Sequence, residues 1–324
     1  MKTLETAKNM LHKKQYVFIV GTGRCGTTML AQMLNSHSLI CVPFELQILF
    51  ENSNNGNRLY EIFKEKKNES FGAEDFINLI EARTPHKFHE YFDYRRFFEK
   101  QQYPIHSLKK LVNSLFNEIA ESKHKKIFVE QTPWQGQRID ILNELFPDAK
   151  YIHMVRDGRD VAISFARTPW WHNNIVQNLE RWHTEVRRII DSAAQILNAN
   201  QILQVRYEDL VEQTETELKR ICQFLAIDFE DTMIDPATYI DYELYYTLDI
   251  ENISSSALNE WAKSNRVPTF KGSCYVWKKY SNFNFSTVPK HIMQTLKSLD
   301  YDIKMPRFYA LMTLKNKVKN SLGF

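Results

Sequence analysis

Three glycines, two arginines, two threonines and one carboxylate carry most of the chemistry this sequence can do. Gly21, Gly23 and Gly26 fall in GTGRCGTT, together with Arg24, Cys25, Thr27 and Thr28. Glycines let backbone N–H groups come close to an anion, and a helix starting near Thr27 adds its partial positive charge. The stretch reads as a phosphate cradle. Much later, VRDGRDVAIS carries Arg156 and Ser164, a guanidinium and a hydroxyl able to converge on a second phosphate. Between the two lies Glu45, the leading candidate for a general base. The competing view of Glu45 is a helix-start carboxylate or an ion-pair partner.

The elements that must position these groups are legible as apolar runs. Tyr16 to Val20 reads as a buried strand, and Met29, Leu30, Met33 and Leu34 recur at helical spacing behind the glycine turn. Ser38 to Val42 reads as a second strand, ending at Pro43 and delivering Glu45 to the sheet edge where strand C-termini meet ligands. KIFVEQTPW is a strand running into a turn, with Glu130, Gln131 and Thr132 at its end; a helix over 138–146 follows. Tyr151 to Val155 is another strand, with Arg156 at its C-terminal edge and a helix carrying Ser164 behind it. QILQVRYEDLV supplies one more strand-to-helix junction, at Tyr207. The pattern predicts a single α/β domain over residues 1–324: a parallel sheet flanked by helices, with core segments at about 16–50 and 126–280.

Residues 51–125 change character and predict a helical insertion or lid. Its clearest helix has Leu108, Leu111, Val112, Leu115, Phe116 and Ile119 on one face. His86, His89, His106 and His124 lack metal-ligand spacing and read as surface or packing residues. The helix from Ile175 to Leu197 reads as core along Leu179, Trp182, Val186, Ile189 and Ile190, with Arg181, Arg187 and Arg188 on a solvated face. Trp134, Trp170 and Trp171 could stack on a sugar or aromatic ring, though packing is the more ordinary use of tryptophan. Arg167 is a minor phosphate candidate. A helical tail over about 286–324 mixes lysines with Phe308, Leu311, Met312 and Val318; membrane contact there is possible but not favoured over packing.

Composition narrows the function classes. The chain has 324 residues, 43% of them hydrophobic, enough for a large core. A net charge of +3 is too mild to argue for nucleic acid. Cys25, Cys41, Cys222 and Cys274 are scattered and read as reduced thiols. With no signal-peptide pattern and no run of about 18 apolar residues, a cytoplasmic protein is expected.

Which phosphate the cradle takes is open on the turn alone. Gly21 and Gly26 fit a kinase-type P-loop, but Thr27 stands where its lysine should be. Gly21, Gly23 and Gly26 also spell a dinucleotide fingerprint, and Glu45 follows at about the ~20-residue offset of a ribose-binding acid. That reading gives an NAD(P)-dependent oxidoreductase. Yet Arg24 with Thr27 and Thr28 suits a more highly charged ligand.

The pair GTGRCGTT and VRDGRDVAIS resembles the two-part signature of sulfotransferases that use 3′-phosphoadenosine 5′-phosphosulfate (PAPS). The first part is similar to their 5′-phosphosulfate loop, and the second to their 3′-phosphate motif. Tyr207 in YEDL resembles the family tyrosine near the adenine. Lys271-Gly272 with Trp277-Lys278 resembles RKGxxGDWK, with Tyr275 and Val276 in place of Gly-Asp. LNSHSLICVPFE looks closest to the protein-tyrosine sulfotransferases and related bacterial enzymes, with Glu45 on their acidic base. Gln131 replaces a lysine that both branches usually place near the sulfuryl group. The resemblance covers about residues 16–280. It implies a P-loop-like sulfotransferase fold, PAPS as donor and 3′,5′-ADP as product, and a hydroxyl acceptor of unknown identity. It also implies no metal, catalytic roles for Glu45 and Arg24, and nucleotide contacts from Gly23, Arg24, Cys25, Gly26, Thr27, Thr28, Arg156, Ser164, Tyr207, Lys271 and Gly272. A non-catalytic nucleotide-binding protein of the same fold is the remaining alternative.

Overall fold

Five of the apolar runs pair into one parallel sheet. In the computed structural model, which describes residues 14–50, 58–82, 88–168, 171–235 and 270–304, these are β1 (Gln15–Gly21), β2 (Ile40–Cys41), β3 (Ile127–Glu130), β4 (Lys150–Val155) and β5 (Ile202–Arg206). Their spatial order is β2-β3-β1-β4-β5, every pairing parallel. β1 lies in the centre and is buried on both faces, which is why it reads as an unbroken apolar run rather than an alternation. Val17 and Ile19 pack on one side with Met29, Leu30 and Leu34 of α1 (Thr27–Asn35). Phe18 and Val20 face the other way, into a cluster with Phe116, Phe128 and Tyr151.

The sheet order disposes of the dinucleotide reading. A dinucleotide-binding fold places its second strand beside the first. Here β3 occupies that position, between β1 and β2. The ligand crevice therefore opens at the C-terminal edge of β1, flanked by β3 and β4.

β2 is shorter than the predicted run from Ser38 to Val42, and the cause is local. The backbone N–H of Ser38 donates to the Glu230 carboxylate at 2.7 Å, and that of Val42 donates to Asn35 Oδ1 at 2.8 Å. With those groups satisfied by side chains, only Ile40 and Cys41 remain for the ladder.

The insertion holds α2 (Leu59–Lys64), α3 (Ala73–Glu81), α4 (Phe88–Tyr91), α5 (Tyr94–Glu99) and α6 (Leu108–Ser122). Ser107 caps α6, its hydroxyl accepting from the Lys110 N–H, and the expected face of α6 is buried. These helices share one apolar cluster with the sheet. Phe44, immediately before Glu45, meets the rings of Phe88 and Tyr91 edge-on at 5.4 and 5.6 Å. The insertion thus builds the wall behind the candidate base.

The remaining helices are α7 (Ile139–Leu145), α8 (Gly158–Ala166), α9 (Ile175–Ile196), α10 (Tyr207–Glu212), α11 (Thr214–Leu225) and α12 (Lys290–Ser298), with α10 and α11 packed in the cluster of Val17 and Ile19 and α7 in that of Phe18. A third cluster joins α8, α9 and α12 around Trp182 and Trp277. Arg181 corrects the expectation of a solvated face on α9: it bonds Glu185 at 2.7 Å and lies 4.8 and 4.4 Å from the Phe165 and Trp171 rings. Trp171 donates Nε1–H to Asn178, and Trp134 packs against the first cluster, so both have packing roles. His89, His106 and His124 are exposed. Of the expected helical tail, the helix α12 falls within the described residues; the membrane expectation for the basic end, His86 and Trp170 fall outside them. No helix among the described residues is long and apolar enough to cross a membrane.

Candidate functional site

The turn after β1 is held in a conformation that ordinary sequence avoids. Gly26, at the N-cap of α1, has φ 97°, and a Cβ there would run into the Tyr207 ring. Arg24 also sits in the left-handed region, at φ 66°, which costs a non-glycine residue about 1 kcal/mol or more and tends to persist where surroundings impose it. What imposes it is a pair of contacts. Arg24 Nε donates to Ser164 Oγ at 3.1 Å, and the Arg24 carbonyl accepts from Arg156 Nη1 at 2.9 Å. Residues brought together from the ends of β1 and β4 and from α8 therefore shape one loop.

Arg156 is buried at the end of β4. Its Nη2 donates to the Ser273 carbonyl at 2.7 Å, its guanidinium lies 4.5 Å from the Tyr207 ring, and its Nε has no hydrogen-bond partner among the described residues. The Tyr207 hydroxyl also meets Ser273. Two guanidiniums thus meet in one crevice. Burial lowers the Arg24 pKa, and the like charge of Arg156 lowers it further, with Glu45 pulling the other way. A multiply charged anion would relieve both costs.

A network behind the site fixes Arg156. Asp157 caps α8 and pairs with Arg159 at 2.7 Å, both side chains fully buried. The Asp157 N–H donates to Glu208, which also accepts from the Tyr301 hydroxyl. Trp182 donates Nε1–H to the Arg156 carbonyl at 3.1 Å. The RDGRD turn is compact because Gly158 lets Trp182 pack where any Cβ would clash with its ring. In the first turn of α8, Asp160 accepts from the Trp277 N–H at 2.8 Å, and Arg159 lies 3.5 Å from the Trp277 ring. These contacts dock the segment 273–279 beside the crevice.

The other predicted residues fall around this centre. Gly23 lies against the Phe165 ring, where an added Cβ would come within 2.8 Å. Thr27 is buried at the first position of α1 and Thr28 is exposed. The Cys25 thiol is turned into the core, donating to the Thr22 carbonyl at 2.6 Å, and burial pushes it up to about 12. Only the backbone of Cys25 is available to a ligand. Gly272 lies exposed in the turn Phe270–Ser273; the Lys271 side chain is outside the described residues. Tyr275, where the resembled segment has glycine, takes φ 57°.

Glu45 is half-buried on the opposite wall. Burial raises its carboxyl to about 7, and the Glu130 charge adds to this; a hydrogen bond from Gln47 Nε2 at 3.3 Å and the Arg24 charge oppose it. Glu130 itself is buried and pushed up to about 7 by burial. Sequence reading placed Glu130 at a strand end without a role, although the same signal had singled out Glu45. Gln131 is buried, with its Oε1 lacking a hydrogen-bond partner. The site thus joins a glycine loop, two guanidiniums and a carboxyl group poised near neutrality. It suits binding of a polyanion and removal of a proton beside it.

Comparison with known proteins gives the family and the fold. Residues 16–231 match the Sulfotransferase family. An uncharacterized protein of Aquifex aeolicus is 23% identical over 99% of this chain and 38% of its own length. Protein-tyrosine sulfotransferase A of Caenorhabditis elegans is 34% identical over 29% of this chain and 26% of its own. The chain therefore spans well under half the length of these curated relatives. Among solved structures, the sulfotransferase domain of the Synechococcus PCC 7002 olefin synthase has a TM-score of 0.58 at 22% identity, covering 90% of this chain and 98% of that one. That likeness establishes the fold.

Proposed function

The chain belongs to the sulfotransferase family, and on that footing we propose that it moves the sulfuryl group of PAPS to an acceptor hydroxyl, with Glu45 as general base. The observation that carries this reading is the meeting of Arg24 and Arg156 at one glycine loop. A nucleotide with phosphates at both ends of its ribose needs two such cations, and Arg156 Nε, which has no hydrogen-bond partner among the described residues, gives it a donor to spare. The cradle fits: its backbone turns at Gly26 where no side chain is tolerated.

PAPS supplies an activated sulfuryl group whose transfer, like that of a phosphoryl group, depends mostly on positioning and on stabilising charge at the departing oxygens. The loop amides, Arg24, Thr27 and Thr28 would hold the 5′-phosphate as negative charge builds on it. Arg156 and Ser164 would hold the 3′-phosphate and discriminate against nucleotides that lack it. Ser164 would do so from a position shared with Arg24, coupling the two phosphate sites through one side chain. Glu45 would take the proton of the acceptor hydroxyl, its raised pKa matching that task near neutral pH.

Calorimetric titration with 3′,5′-ADP, 5′-AMP, ATP–Mg and NAD tests the donor assignment. Tight binding of 3′,5′-ADP alone is expected. Preference for ATP or NAD would reject the assignment.

A further inference from the structure

The carboxylate of Glu130 does more than terminate β3. Its Oε2 accepts from the Thr132 N–H at 2.9 Å and its Oε1 from the Thr132 hydroxyl at 2.6 Å. It also accepts from the backbone N–H of Leu46, the residue next to Glu45. Glu130 is 1% exposed, so water competes for none of these bonds. A single buried carboxylate therefore ties the end of β3 to the segment that follows β2, two strands that the ladder joins only at Ile40 and Cys41. The tie falls beyond the last ladder pair, at the point where Glu45 enters the crevice.

We propose that Glu130 is a positioning residue for Glu45: it fixes the backbone that presents Glu45 and, as a neighbouring negative charge, keeps Glu45 a stronger base than Arg24 alone would allow. This rests on the reading of Glu45 as the base. The charged groups acting on Glu45 are Glu130 from β3 and Arg24 from the loop after β1, and Gln47 contributes a hydrogen bond from its own segment. The two charges act in opposite directions. Arg24 favours the ionised carboxylate and makes it a weaker base, while Glu130 disfavours it. Burial accounts for most of the raised proton affinity of Glu45, and Glu130 adds to it against the pull of Arg24. No atom of Glu130 has to touch substrate for this.

The experiment is a pH titration of the full chain carrying glutamate labelled with carbon-13 at Cδ, read by NMR, with Glu45→Gln used to assign the Glu45 signal. In the wild type, two glutamate carboxyl signals should titrate near neutrality. In Glu130→Gln, the Glu45 midpoint should fall by roughly one pH unit or more. An unmoved Glu45 midpoint in a folded Glu130→Gln protein overturns the proposal, because a purely structural Glu130 would leave it in place. Should Glu130→Gln fail to fold, Thr132→Val decides. It removes one donor to Glu130, so the Glu130 midpoint should rise and the Glu45 midpoint should fall with it; a rise at Glu130 alone overturns the proposal. The same samples titrated with 3′,5′-ADP separate the two readings. Absence of 3′,5′-ADP binding in the wild type sinks the donor assignment and leaves the carboxylate coupling standing.

Discussion

Glu45 and Arg156 have separable jobs, and single substitutions should separate them. Glu45→Gln keeps the shape of the side chain and removes its basicity. Transfer from PAPS should fall by roughly two to four orders of magnitude, the range for a lost general base, while 3′,5′-ADP affinity stays near wild type. Equal loss of both would assign Glu45 to nucleotide binding. Arg156→Ala should weaken 3′,5′-ADP much more than 5′-AMP when the two are compared by calorimetry. Some loss of 5′-AMP is also expected, because Arg156 holds the Arg24 carbonyl and so shapes the 5′ side of the loop. At this scale the sequence was informative about residue types and silent about partners. The glycines, Arg24, Arg156 and Glu45 announce themselves by position at strand ends. That Ser164 bonds Arg24, or that Glu130 bonds the backbone at Leu46, depends on side chains far apart in the chain meeting across the crevice. No local spacing encodes that.

Elements were legible where burial is two-sided or cleanly periodic. β1, β4, α1, α6 and α9 fall close to their expected positions because their apolar residues face packed neighbours at regular intervals. β2 was overcalled since apolarity marks burial, and burial alone does not make a ladder. The turn at Gly158 was legible, but the buried network joining it to Trp277 was not, because it is built from Asp157, Asp160 and Glu208, charged residues that composition assigns to the surface. Helix ends offer a direct test. Ala226 closes α11 in the left-handed conformation at φ 58°, with its N–H directed at the Cys222 and Gln223 carbonyls. Ala226 is exposed, so Ala226→Gly should raise stability by about 0.5–1 kcal/mol in urea denaturation, glycine carrying no penalty there. Conversely, Gly158→Ala should cost about 2–3 kcal/mol, since the Trp182 ring has nowhere to move inside the third cluster.

Across the whole molecule, buried carboxyls give stability an unusual pH dependence. Glu45 and Glu130 have folded pKa values raised to about 7, and burial raises Asp160 in the same direction. In the window between the ordinary carboxylate range and about 7, the folded state binds more protons than the unfolded chain, so these groups make stability fall as pH rises. His153 works the other way: burial lowers it to about 4, and its contribution to stability grows as pH rises toward 6.5. Between there and about pH 8 the raised carboxyls weigh most. Thermal unfolding should therefore show wild type losing more stability between pH 6 and 8 than Glu130→Gln does; parallel curves would contradict the raised values.

The central position of β1 also has a consequence during synthesis. Its neighbours are β3 and β4, and its register runs from Gln15 against Ile127 to Gly21 against Met154. This apolar strand therefore has no native strand partner until roughly 110 more residues have been added, a wait of roughly 5–22 s at ordinary translation rates. Nascent chains stopped before residue 127 would leave both edges of β1 unpaired, and a ribosome-bound series of truncations should draw chaperones up to the length at which β4 emerges and not beyond.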